Sequence, residues 1–204
     1  MNVMNVIIDT GCANLSSVRF AVERLGYPVM ISADPQTIFS ADKVFLPGVG
    51  TVNAAMQQLK SKQLIDTIQA IQAPLLGICL GMQILVECSY EGGAYQSESA
   101  HPCLGLIPGA IKKMQPVSGL PLPHMGWNQI KMTEHPLFTD ISPDSYFYFV
   151  HSYALPVTPA TLASCDYGGD FSAVIAKDNF FGVQFHPERS GQAGAQLLKN
   201  FLEM

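Results

Sequence analysis

Apolar residues along this chain recur in two rhythms, and the changes between them outline its elements. Met4–Asp9 is a short β-branched run that predicts a first strand. Leu15, Val18, Val22 and Leu25 then recur at helical spacing, and Gly26 stands where a helix ends in left-handed backbone. Pro28–Ile31 predicts a second strand, Ala33-Asp34-Pro35 a brief helical turn, and Lys43-Val44-Phe45-Leu46 a third strand that runs into Pro47-Gly48-Val49-Gly50. From Val52 to about Gln72 the pattern is helical with a break near Ser61, and Pro74–Ile78 is the next strand. Met82-Gln83-Ile84-Leu85-Val86-Glu87 predicts another helix. Strands alternating with helices across short loops imply an α/β fold, with a parallel sheet covered on both faces.

That alternation stops after the helix over Met82–Glu87. Ser89–Cys103 is polar and contains glycine, and from Leu104 to Phe185 the runs predict antiparallel strands. These are Ala110–Met114, Asn128–Met132, Tyr146–Val150, Thr161–Cys165, Phe171–Lys177 and Phe180–Phe185. The last two flank Asp178-Asn179, a two-residue hairpin signal. Gly191–Met204 reads as an amphipathic helix with Ala195, Leu198 and Leu202 on one face. No repeat or linker divides the chain, so one domain over 1–204 is expected, its mostly parallel central sheet extended by antiparallel strands.

Composition narrows the classes of function. With 204 residues, 48% hydrophobic and 13% charged, the chain can bury a sizeable core. A net charge of −5 without a basic block argues against nucleic acid and acidic membrane surfaces as partners. The N-terminus lacks a positive n-region and reads as a strand, not a signal peptide, and no run is long enough to span a bilayer. Five cysteines (Cys12, Cys79, Cys88, Cys103, Cys165) are odd in number and scattered, without Cys-x-x-Cys spacing. They fit neither a disulfide framework nor a zinc site and suit a reducing cytoplasm. No metal or cofactor is expected.

The chemistry collects around Gly77-Ile78-Cys79-Leu80-Gly81. A strand, a tight Gly-x-Cys-x-Gly turn and a helix make a nucleophile elbow, with cysteine in the nucleophile position. The glycines remove side chains that would meet the neighbouring strand and helix, and the helix N-terminus favours thiolate. A structural cysteine in a Gly-punctuated loop is the alternative. Strand alternation puts Gln184 and His186 on one face, and Glu188 at i+2 can orient the imidazole toward a nucleophile from another strand, the logic of a Cys-His-acid triad. Alone, His186 reads far more readily as a satisfied polar group; Cys79 is what changes that reading. The N–H of Leu80 is one candidate oxyanion donor and the glycine turn Pro47–Gly50 is a candidate for the other, although that turn reads equally as an ordinary βα turn. Trp127, the one tryptophan, lies in a polar, Gly-flanked stretch that predicts a turn; an interface anchor and a core residue both remain open. A free-standing cysteine hydrolase would carry the same elbow.

Together, Gly77–Gln83, Pro47–Gly50 and Gln184-Phe185-His186-Pro187-Glu188 resemble the class I, triad-type glutamine amidotransferases, whose fold is a flavodoxin-like sandwich. Pro123–Asn128 and Tyr148–Tyr153 narrow the likeness to the histidine-pathway branch, the glutaminase subunits of imidazole glycerol phosphate synthase. The resemblance implies that Cys79 attacks the side-chain amide of L-glutamine, with His186 and Glu188 completing the triad. It implies Gly48, Val49 and Leu80 at the oxyanion, and Gln83 with the main chain of Ser152 and Tyr153 around the glutamine α-groups. It also implies a heterodimer with a (β/α)8-barrel cyclase subunit that receives the ammonia, with Asn14, Met125, Trp127 and Arg189 at or near the interface. His151 is expected to be a structural hydrogen-bonder, not a second base.

Overall fold

A computed structural model describes residues 3–11, 15–92, 100–115 and 117–204. The first half runs β1 (Asn5–Ile8), α1 (Leu15–Arg24), β2 (Val29–Ser32), α2 (Pro35–Phe39), β3 (Lys43–Gly48), α3 (Val52–Ser61), α4 (Ile65–Gln69), β4 (Leu75–Cys79) and α5 (Leu80–Leu85). Then come β5 (Val86–Ser89), β6 (His101–Pro102), β7 (Ile107–Lys113), β8 (His124–Gln129), β9 (Lys131–Met132), β10 (Tyr146–His151) and β11 (Tyr153–Ala154). The chain closes with β12 (Thr161–Asp166), β13 (Asp170–Lys177), β14 (Phe180–Val183) and α6 (Gly191–Glu203).

An eight-stranded sheet in the order β2-β1-β3-β4-β14-β13-β12-β9 forms the centre. Its first five strands are mutually parallel and the last three are added antiparallel. Alternating side chains fill a core on each face. Val6, Ile8, Val44, Leu46 and Leu75 pack with Ile38, Leu59, Leu64 and the α5 residues Leu80, Met82 and Ile84. Ile7, Phe45, Leu76 and Ile78 pack on the other face with Val18 and Val22 of α1, Phe201 of α6, and Phe147 and Phe149 of β10. Among the described residues, no helix is long and apolar enough to cross a membrane.

Six expectations need correction. The helix over Met82–Glu87 stops at Leu85, and Val86 turns extended to begin β5. The cause is non-local: the N–H groups of Leu104 and Leu106 take the carbonyls of Ile84 and Leu85, each at 2.9 Å, which ends the helix. A separate four-stranded sheet, β11-β7-β5-β6, follows from this, and β7 starts at Ile107, before the expected Ala110. The region beyond Leu104 is not uniformly antiparallel, since β7 runs parallel to β5 and β14 parallel to β4. The run Asn128–Met132 divides at the buried Ile130, giving β8, which pairs with β10, and β9, which pairs with β12. Trp127 therefore lies within strand β8 and not in a turn. Last, β14 leaves the ladder at Val183, before Gln184-Phe185.

The hairpin turn at Asp178-Asn179 forms as expected and also fixes the register that matters most. Asn179 Nδ2 donates to the carbonyls of Ile71 and Ala73 at 2.9 and 3.0 Å, and the Leu75 N–H donates to Asn179 O at 2.9 Å. This clamp sets Val183 opposite Ile78.

Candidate active site

Cys79 is the last residue of β4 and adopts φ 54°, ψ −110°, a left-handed backbone that non-glycine residues rarely hold. Close packing of α5 against β3 and β4 sustains it. A Cβ on Gly81 would run into the Leu46 carbonyl, and one on Gly77 would lie 2.7 Å from the Gly81 carbonyl. Only glycine at both positions lets the turn sit this tightly, which explains the Gly-x-Cys-x-Gly spacing.

The β14–β4 register delivers the partners. One residue beyond the Val183–Ile78 pair lie Gln184 and Cys79, and His186 follows two residues later. His186 shares the cavity wall with Cys79, and its Nδ1 lies 2.9 Å from Glu188 Oε1. Both side chains are buried, at 7% and 1% exposure. The His186 backbone is pinned to β10: its N–H donates to Tyr148 O at 2.9 Å, and Ser190 Oγ donates to its carbonyl at 2.7 Å. Burial alone pushes the imidazole pKa down, but the hydrogen bonds and charges of Cys79 and Glu188 outweigh it and raise it to about 10. The shift favours the protonated imidazole at neutral pH.

A cavity of about 350 Å³ opens at Cys79. It is lined by Val49, Gly50 and Leu80 from the ends of β3 and β4, by Val150–Tyr153, and by Gln83, Glu91 and His186. Gly48 does not line it; it pairs with Cys79 across β3–β4 and lies against the Gly81 backbone. A larger depression of about 730 Å³ beside Met132–Ile141 shares no residue with this one and contains no cysteine.

His151 lies in the wall with both ring nitrogens assigned by their neighbours. Nδ1 donates to Tyr153 O at 3.0 Å, so Nε2 accepts from His124 Nδ1, also at 3.0 Å. Burial pushes His151 down to about 3 and His124 down to about 4, so both are neutral. That is the behaviour of a structural hydrogen-bonder.

Met125 and Trp127 project from β8 with 62% and 54% exposure, and Arg189 is exposed just after Glu188. Asn14 lies outside the described residues. Two residues carry more than the sequence alone assigned to them. Gln184 is buried against Cys79; strand alternation had placed it on the face of His186 without giving it a task. Glu91 brings a carboxylate into the cavity, where its Oε2 accepts from the Val52 N–H at 2.6 Å. It sits in a polar, aperiodic loop that offers no pattern to read.

The glutamine amidotransferase class-I pattern matches residues 6–204. Imidazole glycerol phosphate synthase subunit HisH of Vibrio cholerae is 58% identical over 200 residues, covering 98% of each chain. HisH of Pectobacterium atrosepticum is 59% identical, again over 98% of each. A crystal structure of a glutamine amidotransferase from Thermotoga maritima superposes with a TM-score of 0.64 at 16% identity, covering 100% of this chain and 85% of that one. The chain belongs to the class I glutamine amidotransferases. Within that family it falls among the HisH subunits of imidazole glycerol phosphate synthase, glutamine amidotransferase enzymes of histidine biosynthesis.

Proposed function

We propose that this chain, acting as one amidotransferase domain, hydrolyses L-glutamine to L-glutamate and ammonia through Cys79, His186 and Glu188. The observation that carries the reading is the parallel register of β14 on β4, which brings the Glu188-oriented imidazole of His186 to Cys79 on its strained elbow. The Cys79 thiolate attacks the amide carbon, and the C–S bond forms as the carbonyl oxygen takes up charge. The donors we assign to that oxygen are the Leu80 N–H and the Gly48-Val49 turn, with Val49 on the cavity wall. His186 gives its proton to the leaving nitrogen, ammonia departs, and a thioester remains. Neutral His186 then takes a proton from the attacking water, glutamate leaves, and the thiolate returns.

Gln83 Nε2 already donates to Tyr153 O and Gln184 Oε1, so its own Oε1 is the end that meets the substrate α-ammonium. Glu91 adds the opposite charge. The carbonyls of Ser152 and Tyr153 are taken by Met114, Gln83 and His151, so N–H groups there meet the α-carboxylate.

The ammonia passes to a (β/α)8-barrel cyclase subunit docked on the face that bears Met125, Trp127 and Arg189, with Asn14 nearby. There it contributes to imidazole glycerol phosphate and aminoimidazole carboxamide ribonucleotide, in the cytoplasm. Glutamate release is measured for the chain alone and with the barrel subunit and its nucleotide ligand. We expect a low basal rate that rises steeply only in the full mixture, and no release from Cys79→Ala, which still forms the complex. A Cys79→Ala protein with full activity overturns the mechanism; a high rate without any partner overturns the coupling.

A further inference from the structure

We propose that Gln184 holds the Cys79 thiolate in place: one side-chain N–H is aimed at sulfur, and Gln83 fixes that orientation. The inference rests on Cys79 being the nucleophile. Gln184 Nε2 lies 3.8 Å from Cys79 Sγ, long for an oxygen acceptor but within reach of the larger sulfur. The side chain is fully buried, so water does not compete for its amide.

Its orientation follows from a chain of fixed roles. Tyr153 O is a backbone carbonyl and can only accept, so the nearby end of the Gln83 amide, 2.8 Å away, is NH2. The second N–H of that group points at Gln184, 2.9 Å away, and must meet an oxygen. The Gln184 carbonyl is thus turned toward Gln83, and its NH2 is left facing Cys79. A flipped Gln184 would set two NH2 groups against each other. The relay ends on a sulfur that gains from a donor only when it carries charge, so the amide favours thiolate over thiol. In the proposed mechanism His186 gives up its proton as the acid during turnover; Gln184 keeps its N–H throughout. Gln184 thereby supports the thiolate as leaving group when the thioester breaks.

The test is the pH dependence of Cys79 alkylation by iodoacetamide, read by mass spectrometry of the Cys79 peptide in the full-length chain. It needs neither glutamine nor partner. Burial pushes Cys103 and Cys165 up to about 12, so they contribute little background at neutral pH. Q184M keeps the size of the side chain and removes the donor. Its alkylation midpoint should rise by about one pH unit, which is about a tenfold loss of thiolate fraction below the midpoint. In the complex, kcat should fall with KM within about twofold. A Q184M midpoint equal to wild type overturns the proposal. If Q184M does not fold, Q83M decides: the Gln184 amide, no longer held, should give a smaller rise, and no rise overturns the proposal. A wild-type chain in which Cys79 is not alkylated preferentially, or a Cys79→Ala chain that still releases glutamate, removes the nucleophile itself and is told apart by that.

Discussion

Three buried imidazoles lie within one small region of this molecule and titrate in opposite directions. His186 is raised because a thiol and a carboxylate reach it before solvent does. His124 and His151 are lowered by burial first, and the neighbouring His186 adds to the lowering of His151; His124 stacks on Tyr167 and Phe149 with ring centroids 3.9 and 4.8 Å apart. The consequences for stability have opposite signs. The stabilisation from protonated His186 is fully present below the ordinary value near 6.5 and is lost as pH rises through about 10. For His124 and His151, the unfolded chain takes up protons below 6.5 while the folded chain does not. Each therefore lowers stability by about 1.4 kcal/mol per pH unit on acidification, until about 4 for His124 and about 3 for His151. Urea unfolding at pH 7, 6 and 5 checks this. His124→Phe should flatten the slope by the contribution of one histidine, and an unchanged slope would mean that His124 is charged in the fold.

At the scale of elements, the elbow depends on the approach of α5 to β3, and Gly81 is where that approach is closest. Gly81→Ala must push the helix off the Leu46 carbonyl. It should cost about 3 kcal/mol or more in chemical denaturation and remove glutaminase activity by displacing Cys79. Retained stability and activity would show that the turn has slack. This tightness is also why the elbow was legible in the sequence: Gly77, Cys79 and Gly81 meet a local requirement, as do the Asp178-Asn179 turn and the strands of the first half. The end of α5 was not legible, because backbone near residue 105, some twenty positions away, takes its carbonyls. Nor was the parallel pairing of β14, which depends on Asn179 gripping the backbone ahead of β4. The tasks of Gln184 and Glu91 come from tertiary placement that no spacing encodes.

At the scale of the whole molecule, the exposed face of β8 and the catalytic imidazole are one strand apart. Trp127 pairs with Tyr148 across β8–β10, their rings 5.9 Å apart, and Tyr148 O accepts the His186 N–H. Trp127 is thus connected through Tyr148 to the backbone that carries His186. Trp127→Ala removes an exposed side chain, so the melting temperature should move by no more than about 3 °C. Titration calorimetry with the barrel subunit should show at least about tenfold weaker binding, or the ligand-stimulated glutaminase rate should fall by as much. Unchanged binding and stimulation would remove β8 from the interface.

The clamp of Asn179 on the chain ahead of β4 also sets an order of events during synthesis. Cys79 leaves the ribosome with its strand and its glycines, but His186 follows more than a hundred residues later, just beyond the strand that fills the gap between β4 and β13. Until that strand is inserted, β4 is an open edge and the thiol has no acid beside it. On the proposed mechanism, a nascent or prematurely ended chain is inert toward glutamine, and the working site arises only when the sheet is complete.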